Sequence, residues 1–384
     1  MNKFVFQTTP KLVCALGSAE QLSEHLGSDT IKRVFWVTDQ GVLNAGIADR
    51  PIQTLRDAGY DVTVYSQVQA DPPETMVIAA VEAAVACKAQ AVVGFGGGSS
   101  LDTAKLVALL AKSPQPLETI YGVGLAKGER LPLIQVPTTA GTGSEVTPIS
   151  IVTTPSDEKK GVVSSVLLPD VAILDGLLTI GVPPAITAMT GVDAMVHAIE
   201  SYTSLLKKNP VSDALGKQAL ELLYRNLPKV IRDGSDAPAR QAMLLGSMLA
   251  GMAFANAPVA AVHALAYPLG GIYHLPHGLS NSLMLEPVLK FNYTHAIGPY
   301  ADLGRVIDPS LIGVDDDQAA QQFVERIVAL VNTMPFAKTL TEAGIPGDAV
   351  EQLAAAALKQ QRLLVNNPRP VTHADAVELY LAAL

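Results

Sequence analysis

At 384 residues the chain is longer than one hydrophobic core usually grows before it divides, so two domains are expected. Its 49% hydrophobic and 16% charged residues exclude a disordered polymer and fit a well-packed globule or an oligomer, and a homodimer or higher homo-oligomer is expected. The net charge of -9, with Lys159-Lys160 and Lys207-Lys208 as the only lysine pairs, argues against nucleic acid as a partner, because that needs clustered positive charge to displace phosphate counterions.

The opening segment, MNKFVFQTTP, has an apolar stretch that is broken at Gln7 and Thr8, too soon for a secretory signal, and a cytoplasmic protein is expected. Cys14 and Cys87 lie far apart and outside any CxxC spacing, which disfavours a disulfide framework or a thiolate metal site. Both read as buried small hydrophobes.

Short β-branched runs then alternate with amphipathic stretches, the pattern of βαβ units and a parallel sheet. Strands are predicted at Val34 to Thr38, Val62 to Tyr65, Ala91 to Phe95, Leu133 to Pro137 and Val171 to Leu174, with helices at Pro51 to Ala58 and Glu74 to Lys88. The strand at Ala91 runs into Gly96-Gly97-Gly98-Ser99-Ser100, and a helix follows from Leu101 with Asp102 and Lys105. Glycines there let backbone N–H groups approach a pyrophosphate at a helix N-terminus. A tight strand-to-helix turn with Ser99 as N-cap is the structural alternative, and the spacing is not the GxGxxG of a standard Rossmann fingerprint. Asp39 ends a predicted strand, where a carboxylate accepts from an adenosine ribose hydroxyl and repels a 2′-phosphate; a turn-forming role competes with this. The run Pro137 to Glu145, containing Thr138, Thr139, Thr142 and Ser144, sits behind a predicted strand, suited to nucleotide contacts or to a plain polar connection.

After Pro183-Pro184 the texture becomes Ala/Leu-rich and helical, with helices predicted at Ala185 to Tyr202, Val211 to Leu227, Ala239 to Ala255, Asp317 to Met334 and His373 to Leu384. Residues 1–182 are therefore expected to form an α/β dinucleotide-binding domain with a Rossmann-like parallel sheet, and residues 183–384 an all-α metal-binding and catalytic domain. The segment Gln241 to Leu285 contains no Asp, Glu, Lys or Arg, but its glycines, prolines and histidines divide it into pieces too short and polar to span a bilayer, so no membrane association is expected.

Asp193 and His197 stand four apart on a predicted helix, where i and i+4 share a face. They can reach one ion, or form a hydrogen-bonded helix pair. His263 and His277 lie in the uncharged segment, where an imidazole needs a partner to offset its desolvation, and a metal would supply one. Three neutral imidazoles with one carboxylate suit iron or zinc better than calcium or magnesium.

Together FGGGSSLDTAK, PTTAGTGSE, LPDVAILD, TGVDAMVHAIESY and HALAYPLGGIYHLPHG resemble the iron-containing (group III) alcohol dehydrogenase family over essentially the whole chain. The resemblance implies a dehydroquinate synthase-like architecture with the active site in the cleft between a nucleotide domain and a helical domain. It implies Asp193, His197, His263 and His277 as ligands of Fe(II), with Zn(II) as the alternative. It implies Gly96, Gly97, Gly98 and Ser99, with Asp102 beside them, as the pyrophosphate loop, Asp39 as the determinant of NAD preference, and Thr138, Thr139, Thr142 and Ser144 as nucleotide contacts. Lys160 falls where the family often has a nicotinamide-side lysine, although Lys159 competes for that register. One departure is Tyr267, four residues beyond His263, where many members carry a proton-relay histidine; Tyr267 or His274 would take over the relay. The implied reaction is hydride transfer between NAD(H) and a small alcohol or aldehyde. A polyol or hydroxy-acid dehydrogenase or a lyase of the same fold, and a catalytically silent metal- or nucleotide-binding subunit, are the alternatives. The scarcity of ionic residues around the motif helices favours a short neutral substrate.

Overall fold

The computed structural model describes residues 3–27, 30–156 and 158–384. The chain separates into two compact units. One comprises Gln7–Gly181 with Ser235–Met248, and the other comprises Met1–Phe6, Val182–Gly234 and Leu249–Leu384. The division at residues 181 and 182 falls where the composition changes, but residues 235–248 group with the first unit, a return that a single boundary does not describe.

In the first unit the elements run β1 (Lys11–Cys14), β2 (Arg33–Val37), α1 (Gln40–Asn44), α2 (Asp49–Asp57), β3 (Asp61–Tyr65), α3 (Glu74–Ala86), β4 (Ala91–Gly96), α4 (Gly98–Leu110), β5 (Gly122–Val123), β6 (Leu133–Pro137), β7 (Ile149–Thr153), β8 (Lys159–Val163) and β9 (Val171–Leu174). Six strands make a parallel sheet in the order β1-β9-β6-β4-β2-β3. Parallel strands covered on both faces are largely apolar, and β4, β6 and β9 are buried throughout, with Gln135 of β6 donating to Leu101 O at 3.0 Å. Alternation distributes their side chains. Val34, Trp36, Val93 and Phe95 pack with Leu22, Ile52 and Leu55, while Phe35, Val37 and Val92 pack with Val77, Ala80 and Leu106. Full burial of such side chains contributes about 1.5–3 kcal/mol each.

The five predicted strands form, and β1, β5, β7 and β8 are additional. β7 and β8 pair as an antiparallel hairpin, and β5 extends them into a separate three-stranded sheet. β1 is an edge strand with mostly exposed residues, so Cys14 is exposed rather than buried. Cys87, at the C-cap of α3, is partly buried.

The remaining elements are helical: α5 (Pro184–Thr203), α6 (Pro210–Arg232), α7 (Ala237–Asn256), α8 (Ala261–Tyr273), α9 (His277–Asn292), α10 (Ile297–Ile307), α11 (Asp316–Asn332), α12 (Val350–Ala357), α13 (Gln361–Leu364) and α14 (His373–Ala383). Pro184 and Pro210 occupy the first helical turn, where the missing N–H costs nothing. No single helix among the described residues is long and apolar enough to cross a membrane. α7 and α8 pass that test only as a pair bent by 104°. Gly278 lets α9 approach α5 closely, since a Cβ there would lie 2.5 Å from the Met189 carbonyl oxygen.

Candidate functional site

Helix α5 places Asp193 and His197 one turn apart and buried. His263 comes from the first turn of α8 and His277 from the first residue of α9, after the chain reverses at His274, which closes α8 in the left-handed conformation (φ 56°). One donor atom from each of Asp193, His197, His263 and His277 lies within 4.8 Å of the other three. The Asp193 Oδ1 atom is 3.9 Å from Nε2 of His197, 3.9 Å from that of His263 and 3.6 Å from that of His277. The rings of His197 and His263 stack at 4.8 Å, and Phe254 covers the other side of His197 at 4.4 Å. Three members are buried and the His277 side chain is 35% exposed, so the cluster opens towards His277.

Glu200, one turn beyond His197, holds this arrangement although no sequence motif singled it out. Its Oε2 is 2.7 Å from His263 Nδ1 and accepts from Ala260 N at 2.9 Å, while Oε1 accepts from Val262 N at 2.7 Å. One buried carboxylate thus satisfies orphan N–H groups at the start of α8 and takes the Nδ1 proton of His263, which leaves the Nε2 lone pair facing the cluster. The signal was present in the sequence as an acid three residues after His197, but its partners are about sixty residues away.

Asn281, one turn after His277, is also buried. Its Nδ2 donates to Asp193 Oδ1 at 2.5 Å and lies 3.2 Å from Nε2 of both His263 and His277. Its Oδ1 is buried with no hydrogen-bond partner. Three imidazole nitrogens and a carboxylate concentrate lone pairs in a water-poor space, and the two N–H bonds of one amide cannot serve them all, which is unfavourable unless a cation neutralises them. The donor set therefore fits a divalent transition metal of the borderline class.

The Tyr267 ring lies 6.1 Å from that of His277. Burial raises the Tyr267 hydroxyl above its ordinary range, and Arg362 opposes that shift only in part, so at neutral pH it is a protonated donor. His274 is exposed and stands outside the cluster.

In the first unit the glycine loop bridges β4 and α4. Helix α4 begins at Gly98 with Gly97 as N-cap, so Ser99 is inside the helix and does not cap it. Gly96 has φ 150°, and a Cβ on it would lie 2.7 Å from Ser100 Oγ. A Cβ on Gly98 would lie 2.7 Å from Thr142, and one on Gly97 3.6 Å from Thr139 Oγ1. Thr138 N donates to Gly96 O at 2.9 Å. The glycines and the threonine loop are thus brought together, with no room for a side chain at Gly96 or Gly98 and ordinary contact at Gly97. Asp39 caps α1 by accepting from Val42 N at 3.0 Å, and its other oxygen accepts from Ser100 Oγ at 3.3 Å. The capping role and the position beside the glycine loop coexist.

Asp102 and Ser144 fasten this loop from behind. Asp102 accepts from Ser144 Oγ at 2.5 Å and from Ile151 N at 2.9 Å. The fully buried Lys105 donates to Ser144 Oγ at 2.7 Å, Thr147 Oγ1 at 3.1 Å and Ile149 O at 2.6 Å. Burial lowers the Lys105 pKa, and Asp102 and Glu145 pull it back up. Lys160 is exposed on β8, 3.5 Å from Glu158 and over the Tyr121 ring.

Burial also pushes the neighbouring Glu145 carboxyl up to about 7. An acid that ionises near 4.5 when unfolded and near 7 when folded gives stability that is fully present below the lower value and is lost as pH rises to the upper one. Glu145→Gln is therefore expected to flatten the stability-pH curve between about 5 and 7 and to be more stable than wild type at pH 8, by on the order of 1–3 kcal/mol. Denaturant midpoints across pH check this, and parallel curves for the two proteins would refute it.

Two family models match the chain: "Iron-containing alcohol dehydrogenase" over residues 9–176 and "Fe-containing alcohol dehydrogenase family, C-terminal" over residues 187–384. Long-chain-alcohol dehydrogenase 1 of Geobacillus thermodenitrificans is 40% identical over 370 residues, covering 96% of this chain and 93% of the relative. The NAD-dependent methanol dehydrogenase of Bacillus methanolicus is 31% identical over 380 residues, covering 99% of each. The crystal structure of a 1,3-propanediol oxidoreductase superposes with a TM-score of 0.95 at 32% identity, covering 100% of both chains. With both halves of the chain matched and these relatives covered nearly end to end, the chain belongs to the iron-containing alcohol dehydrogenase family.

Proposed function

We infer that this protein is an NAD-dependent alcohol dehydrogenase of the iron type that interconverts a small alcohol and its aldehyde, with Asp193, His197, His263 and His277 holding the metal. The observation that carries this reading is the mutual approach of those four donors within 4.8 Å in a chain of this family. The relatives act on alcohols by name, and one is named as NAD-dependent.

Bound iron supplies Lewis acidity, which lowers the pKa of an alcohol and polarises an aldehyde carbonyl, and NAD supplies the hydride acceptor. The residues of the chain do the positioning. Glu200 fixes the His263 tautomer, Asn281 orients the Asp193 carboxylate, and Phe254 keeps water from His197. Gly96, Gly97 and Gly98 with the first turn of α4 offer N–H groups to the pyrophosphate, and Thr138, Thr139 and Thr142 offer hydroxyls beside them. Asp102 and Ser144 act through the shape of that loop. Mixing iron-loaded protein with NADH and a panel of short aldehydes tests the reading. Consumption of NADH is expected, and its absence for every aldehyde would favour a catalytically silent subunit.

Asp39 carries the cofactor choice in this reading. Its carboxylate beside Gly96 would face a 2′-phosphate at a cost of one to several kcal/mol, so NAD is expected to exceed NADP in kcat/KM by about tenfold or more. Asp39→Gly narrows that gap, and equal use of both cofactors by the wild type would show that Asp39 does not meet the ribose.

A further inference from the structure

Asn281 closes the inner side of the metal-ligand cluster. It stands one turn after His277 on α9 and is fully buried, whereas the cluster opens at His277. Its Nδ2 donates to Asp193 Oδ1 at 2.5 Å and lies 3.2 Å from Nε2 of both His263 and His277. That same Asp193 oxygen faces the three imidazole nitrogens at 3.6 to 3.9 Å. The side chain at 281 is therefore within reach of the atoms that would hold an ion, and it meets them through N–H groups. An amide is an unfavourable choice there. Its two N–H bonds face three acceptors, and its Oδ1 is buried with no hydrogen-bond partner among the described residues. An aspartate has the same size and shape, and it would place a second carboxylate beside the donors. One acid already stands within the cluster, Asp193, and another stands behind it, Glu200 against His263. What the amide supplies in place of a further acid is neutrality.

We propose that Asn281 determines which divalent ion the site accepts, by keeping the donor set at three imidazoles and a single carboxylate. This rests on the metal-site reading above and deepens it. Such a set suits iron and zinc, whereas a second carboxylate would move it towards manganese and magnesium, which prefer oxygen donors. The N–H on Asp193 Oδ1 holds that carboxylate in one orientation, which serves every ion alike. The missing charge at 281 is what discriminates between them. Buried on the closed side of the cluster, Asn281 acts through the ligands and is a positioning residue.

The test is metal binding by the full chain, measured anaerobically by competition with a chelator, with Fe(II), Zn(II) and Mn(II) as probes and wild type, Asn281→Asp and Asn281→Leu as proteins. Wild type is expected to bind Fe(II) and Zn(II) more tightly than Mn(II). In Asn281→Asp the ratio of Zn(II) to Mn(II) affinity should fall by at least about tenfold, because the added carboxylate favours the harder ion. Asn281→Leu is neutral and of similar volume, so it should keep the wild-type ratio while binding all three ions more weakly for want of the Asp193 anchor. An unchanged ratio in Asn281→Asp, or an equal fall in Asn281→Leu as a packing role would give, overturns the inference while the metal site stands. If Asn281→Asp folds only with an ion supplied, the ratio still decides, since the folding contribution is common to the ions. If it folds with none of the three, the inference fails. A wild type that takes up none of the ions stoichiometrically overturns the metal-site reading itself.

Discussion

Replacing His277 with alanine is expected to remove the iron and to lower hydride transfer by about a thousandfold or more, equivalent to ~4 kcal/mol, while NADH binding persists. The reason is geometric. The four donors come from three helices, each placed by separate interactions, and losing one leaves three ligands around a centre built for four. His263→Ala should lose metal equally but should also melt lower. It removes one partner of the buried Glu200 carboxylate, 2.7 Å away, and leaves that charge only the backbone N–H groups of Ala260 and Val262. His277 is partly exposed, so its removal leaves less uncompensated. Metal analysis of anaerobically purified proteins, together with their melting curves, decides the matter. Stoichiometric iron retained in His277→Ala would take that residue out of the site.

Lys105→Met is expected to cost about 3–5 kcal/mol of stability, because it removes one partner from a fully buried charged network. Methionine fills similar volume but cannot serve Ser144 Oγ, Thr147 Oγ1 and Ile149 O, all of which Lys105 Nζ now reaches within 3.1 Å. The Asp102 carboxylate, 3.4 Å from that ammonium, would lose its counter-charge. Since Ser144 also anchors the threonine loop to Asp102, NADH affinity should fall with stability although Lys105 is buried behind the loop. Chemical denaturation and NADH titration measure the two effects. A variant as stable as wild type would mean that the network is redundant.

The central sheet was legible because β2, β3, β4, β6 and β9 are short, largely apolar runs that alternate with helical stretches. β1, β5, β7 and β8 were not, since they are short or half-exposed, and the hairpin depends on partners rather than on its own pattern. Helices α8 and α9 were obscured by Pro268 and Pro287, which each helix accommodates internally. The metal residues could be picked out because imidazoles in an uncharged segment need a partner. Glu200 and Asn281, which orient them, become visible only when the chain is folded.

Gly278 has a thermodynamic consequence. Its missing side chain lets the backbone of α9 lie against the Met189 carbonyl of α5, so the helix that starts at His277 is seated directly on the helix that carries Asp193 and His197. The conformational entropy of bringing these ligands together is then lost when the helices fold and not when the ion arrives. Iron would enter a socket already cut to size, so that most of its binding free energy goes into affinity rather than into ordering the chain.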